Sequence, residues 1–143
     1  MRVSPEWIIA VVAWLAVCAL ALWRGGRTER VGATLLAAGA ILSIAAQAWT
    51  GSMIAGVYWP IALIDLGLLL AFVALAWRSE RVWPAWAAGF QLVLVLSHLA
   101  ALGDLRIGLR GYIVALNLAS YAVLACLAAG TLQAWRMRLA ADR

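Results

Sequence analysis

Residues Trp59–Arg81 read WPIALIDLGLLLAFVALAWRSER. The 18 residues from Pro60 to Trp77 carry one charge, Asp65, and stand between a tryptophan-proline pair and an arginine-bearing break. A helix needs roughly 20 apolar residues to cross a hydrocarbon core of about 30 Å, so this run is long enough to span a bilayer. Tryptophan suits both of its ends, because an indole pairs an apolar body with a polar N–H and settles at headgroup level. Proline in the first turn gives up an N–H that a helix leaves unbonded there in any case.

The same device recurs at Trp83-Pro84, and apolar runs of similar length extend in both directions. The predicted spans are about 5–23, 31–49, 60–77, 84–103 and 112–135. Only 12% of the 143 residues are charged and 67% are hydrophobic, whereas a soluble domain carries roughly 25% charged residues. The expected fold is an all-α integral membrane protein, a single bundle of five transmembrane helices with short loops and no soluble domain. Seven of the nine tryptophans (Trp7, Trp23, Trp49, Trp59, Trp77, Trp83 and Trp135) fall at span ends and mark the boundaries independently of hydropathy. The spans show no inverted or tandem duplication of the kind many transporters carry.

All 11 basic residues are arginine. Arg24, Arg27, Arg30, Arg78, Arg81, Arg136, Arg138 and Arg143 would share one side of the membrane, and Arg2, Arg106 and Arg110 the other. The positive-inside rule then puts the N-terminus outside and the C-terminus in the cytoplasm, with a bacterial inner membrane as the expected location. The net charge of +5 lies in clusters at span ends, where it meets lipid headgroups. No basic stripe with interleaved aromatics exists, so the lipid bilayer and not nucleic acid is the expected partner. Cys18 and Cys126 lie inside apolar runs without CxxC spacing, which argues against a disulfide scaffold or a zinc site. LAVC, Leu15 to Cys18, has the outline of a lipoprotein cleavage box. Val17 stands where a small residue is needed and the run continues through ALALW, so the segment reads as a retained helix.

The polar residues inside the spans fall at one level. With this topology Asp65 lies five residues below Pro60, about 7 Å deep at 1.5 Å per residue. His98, the only histidine, lies five residues before Gly103 on the antiparallel neighbour, and Asn117 five residues beyond Tyr112. Ser43 and Gln47 occupy the outer half of the second span. Gly39, Ser43 and Gln47 recur every four residues, while Asn117, Ser120 and Tyr121 follow i, i+3, i+4, so each set shares a helix face. Gln91 and His98, seven apart, also share a side. Asp104 falls about 240° around the helix from His98, which leaves Asp65 as the better partner. An unpaired aspartate in the membrane costs roughly 2.5–3.5 kcal/mol, and hydrogen bonding to an imidazole reduces that cost. The candidate polar site is therefore Asp65, His98, Asn117, Gln47, Ser43 and Tyr121, with Asp65 bonded to His98.

LGDLRI, Leu102 to Ile107, resembles the GxGD motif of intramembrane aspartyl peptidases of the prepilin-peptidase type, with Ala101 where the first glycine stands. That resemblance covers six residues and implies a second aspartate facing Asp104. Asp65 and Asp104 fall on poorly matched faces, so no family is assigned and no catalytic residue is named. The first functional expectation is a noncatalytic membrane subunit or oligomeric scaffold, acting as a homo-oligomer or with a partner membrane protein. Small residues such as Ala33, Ala37, Ala115 and Ala119 would bring helix backbones close, with the polar groups as interhelical glue. The alternative is a proton-linked transporter or channel with an outer-leaflet site at Asp65 and His98. A weaker alternative is a haem or quinone site with His98 as an axial ligand. The first predicts a tight, dry bundle with a partner-facing groove, the second a water-accessible pocket at the outer leaflet.

Overall fold

A computed structural model describes residues 5–50, 59–102 and 109–141. These form five helices: α1 (Pro5–Arg24), α2 (Arg27–Thr50), α3 (Trp59–Arg78), α4 (Trp83–Leu102) and α5 (Leu109–Ala141). No strand occurs among the described residues. Four stretches are long and apolar enough to cross a membrane: Arg27–Trp49, Trp59–Arg78, Trp83–Ala101 and Arg110–Ala141. The apolar stretch in α1, Ile8–Arg24, is shorter.

Two boundaries differ from the predicted spans, each for a local reason. α2 starts at Arg27, a turn earlier than the apolar run, because Glu29 caps it. The Gly26 N–H donates to Glu29 Oε2 at 2.9 Å, the reciprocal half of a capping box, and the Arg30 N–H reaches Gly26 O at 3.0 Å. α5 runs 33 residues, about 50 Å at 1.5 Å per residue, so its end projects well beyond a hydrocarbon core of about 30 Å. That projecting turn packs back on the bundle. Arg138 Nη2 donates to Arg24 O, Arg81 Nη1 to the Met137 sulfur at 3.6 Å, and the Arg24 guanidinium lies 5.4 Å from the Trp135 ring centroid.

The helices close into a ring in which each packs on its sequence neighbours, α5 returns to α1, and α2 touches α5 across the middle. The half of the bundle's length nearer the α1–α2 turn holds the apolar core, built from all five helices by Ala21, Ala33, Phe72, Trp83, Ala87, Ala88, Val123 and Leu127. Trp83 is the centre of it and corrects an expectation. Instead of anchoring at an interface it is 5% exposed, against 89% for Trp77 and 95% for Trp49. Its ring fits only because Gly32 and Gly130 face it, since a Cβ on either would overlap the indole. Phe72 meets it edge-on at 6.3 Å, and the Trp83 indole N–H donates to Glu29 Oε1 at 3.0 Å. Glu29 itself is 1% exposed, with Arg81 Nε 4.0 Å from Oε1. A buried carboxylate with its own donors therefore ties the α1–α2 turn to the start of α4, and Asp65 is left to the other half of the bundle's length.

Candidate functional site

The polar site lies in the half of the bundle's length that contains the N-terminus of α3. Asp65, in the second turn of that helix, faces α4, where Gln91 and His98 stand seven residues apart on one side. His98 Nε2 is 2.9 Å from Asp65 Oδ2. Gln91 Nε2 donates to Asp65 Oδ1 at 3.0 Å and to the Asp65 carbonyl at 3.2 Å. On its far side His98 Nδ1 is 2.7 Å from Tyr112 Oη, the two rings meeting edge to face with centroids 5.7 Å apart. Gln91, His98 and Tyr112 are buried, whereas the Asp65 side chain keeps 15% of its surface free. The result is a linear chain of four groups over three helices: Gln91, Asp65, His98, Tyr112.

A chain of this kind holds its protons in three arrangements. With Asp65 ionised and His98 neutral, Nε2–H donates to the carboxylate and the Tyr112 hydroxyl donates to Nδ1. With His98 protonated, both ring nitrogens donate. With Asp65 protonated, its hydroxyl donates to Nε2 while Nδ1–H donates to the phenol oxygen. All three keep the same heavy-atom contacts, with the Tyr112 hydroxyl hydrogen turned away from Nδ1 in the latter two, so a proton can pass between Asp65 and His98 while the side chains stay in place.

Asp65 also opens onto a cavity of about 150 Å³ lined by residues of all five helices, among them Trp14, Ser43, Gln91 and Ser120. At the other end of the chain Tyr112 lines a separate groove of about 260 Å³ between α4 and α5, with Val93, Leu96 and Ala115. The hydrogen-bonded groups thus run from a cavity of mixed polar and apolar lining inside the ring to an apolar groove on its outside.

The remaining sequence candidates are placed differently. Ser43 lines the cavity, but Gln47 is exposed and donates to Ser43 O at 3.3 Å within its own helix. Asn117 and Tyr121 are exposed on α5, and Asn117 makes no side-chain hydrogen bond among the described residues. The reason is angular: Ala119, 5% exposed, marks the inward face, and a residue two positions either way points about 200° from it. Gln91 and Tyr112 occupy the places expected of Gln47 and Asn117. Gln91 was signalled by its seven-residue spacing from His98, whereas Tyr112, a span-end aromatic five residues above the counted layer, carried only the signal of an interfacial anchor. A haem at His98 does not fit this geometry, because both ring nitrogens are already hydrogen-bonded and the ring is buried. No group of three His, Cys, Asp or Glu side chains able to hold a metal ion exists among the described residues. Asp104 and the rest of its motif beyond Leu102 lie outside them. No protein-family model, curated protein or solved structure matches the chain.

Proposed function

We propose that this chain is a five-span protein of a bacterial inner membrane, N-terminus outside and C-terminus in the cytoplasm, that carries out proton-linked handling of a small solute at Asp65 and His98. The observation that supports this reading is the continuity of the cavity with the Asp65, His98 and Tyr112 chain. Purely structural glue needs its polar groups paired and dry, whereas here the Asp65 carboxylate is paired and also faces open volume. Ionisable groups inside membrane bundles that meet a cavity mark ion and substrate paths.

The test is Asp65→Asn in reconstituted vesicles loaded with a pH-sensitive dye. The amide still bonds a neutral imidazole, so folded yield stays near wild type while proton movement driven by a pH step is lost. Unchanged proton movement would refute the proposal.

A membrane-subunit role has one observation in its favour. Between α2 and α3 two apolar grooves, about 390 and 640 Å³, share Leu42, Leu63 and Ile64 and so form one furrow along the outside of the ring. A partner or second-copy helix seated there would copurify from native membrane, and its absence from such a preparation counts against an assembly on that face.

A further inference from the structure

We propose that the cavity beside Asp65 binds a small organic cation of the alkylammonium type, which displaces one proton from the Asp65 and His98 pair; the inference rests on the proton-linked reading above and names its solute. The argument begins with charge. Among the described residues that line the cavity, Asp65 is the only carboxylate and none is an arginine. The titratable groups facing it are His98 on α4 and, behind that, Tyr112 on α5. α2 contributes Ser43 and small or apolar residues, and α1 contributes Trp14.

With Asp65 ionised and His98 neutral the site carries one negative charge in a weakly polarisable surround, which a bound cation or a proton offsets. Cation entry therefore goes with proton loss: the protonated pair plus the cation gives the ionised pair with the cation bound, and a proton leaves to solvent. Charge and atoms balance at one for one, and no oxidant or reductant is involved.

The chemistry of the wall selects the kind of cation. Asp65 keeps lone pairs beyond those given to Gln91 and His98, since an ionised carboxylate has about four acceptor sites. Gln91 uses only its amide nitrogen in the contacts above, leaving Oε1 as an acceptor. Ser43 and Ser120 add hydroxyl oxygens, but Leu36, Leu68 and Leu94 form much of the remaining wall. A hard metal cation takes about six or more oxygen ligands, more than this wall offers. A carboxylate, an indole and aliphatic side chains together suit an alkylated ammonium, which pairs a diffuse charge with apolar surface. A volume of about 150 Å³ holds about five waters at about 30 Å³ each, or one cation of similar bulk such as tetramethylammonium.

The experiment is calorimetric titration of the detergent-purified full chain with tetramethylammonium, methylammonium and guanidinium chlorides, against sodium chloride at equal ionic strength. Two buffers of different ionisation enthalpy count the protons released. Tetramethylammonium or methylammonium is expected to bind where sodium does not and more tightly than guanidinium, releasing about one proton per cation at a pH where the pair is protonated. Asp65→Asn should weaken binding about tenfold or more and abolish the release. Trp14→Leu should weaken binding about fivefold with the release intact, and serves where the aspartate variant fails to fold. The cation assignment is overturned if folded wild-type protein binds neither alkylammonium up to about 50 mM, or if both variants bind as wild type does. Proton movement in vesicles separates this from the parent reading: Asp65-dependent movement without cation binding overturns the solute alone, and no Asp65-dependent movement overturns both.

Discussion

At the scale of single residues, His98 shows how little free choice a buried imidazole has. Two nitrogens need two partners, and Asp65 and Tyr112 supply them at 2.9 and 2.7 Å. Ser97, its neighbour, spends its hydroxyl on Val93 O at 2.8 Å in the same helix and so competes for neither. Tyr112→Phe keeps the ring contact and removes only the hydroxyl. It is expected to cost about 1–3 kcal/mol, the penalty for stranding a buried polar nitrogen, read as a lower unfolding midpoint in detergent. Because His98 is the only histidine, a ¹⁵N-histidine spectrum reports on this site alone. The Nδ1 resonance should move in Tyr112→Phe more than the Nε2 resonance, and the reverse order would contradict the assigned contacts. The pairing of Asp65 with His98 is readable in the sequence because equal depth on antiparallel neighbours is a property of residue counting. The further partners Gln91 and Tyr112 depend on how α4 and α5 rotate about their axes, which counting leaves open.

At the scale of elements, helix existence follows from hydropathy and helix contact from the smallest side chains. Gly32 and Gly130 admit the Trp83 ring, whereas an added Cβ at Gly67 meets nothing within 4 Å. The three glycines should therefore respond with opposite signs. Gly130→Ala forces the indole to move and is expected to destabilise by about 1–3 kcal/mol, as overpacking of a filled core does. Gly67→Ala should stabilise by about 0.5–1 kcal/mol through the lower backbone entropy of alanine in a helix. Thermal unfolding of the two variants side by side checks this, and equal shifts would mean that Trp83 is not seated between α2 and α5. Trp83 also shows a limit of pattern reading. The Trp-Pro pairs at Trp59 and Trp83 look alike in sequence, yet one indole is half-exposed and the other is buried, because only the second faces two glycines and a carboxylate.

For the whole molecule, the bundle separates along its length an apolar half around Trp83 from a polar half around Asp65, and the proposed topology sets their order across the membrane. In a background with Cys18 and Cys126 replaced, single cysteines at Glu80 and Arg110 should react with an impermeant thiol reagent from opposite sides, Glu80→Cys from the cytoplasm. Reaction of both from one side would overturn the order of the last two spans. Composition and hydropathy by themselves determined that the described residues form helices and no strands, and where the apolar helices lie, since covering the backbone with enough apolar side chain is a one-dimensional condition. Only the tertiary structure decided that Glu29 turns inward to hold Trp83, that Asn117 and Tyr121 turn outward, and that Gln91 and Tyr112 complete the chain through His98. The physical reason is that the helices carry apolar residues on every face. Their rotation is then set by which side chains fit together and which buried polar groups find partners, and both become defined only once the neighbouring helices are in place.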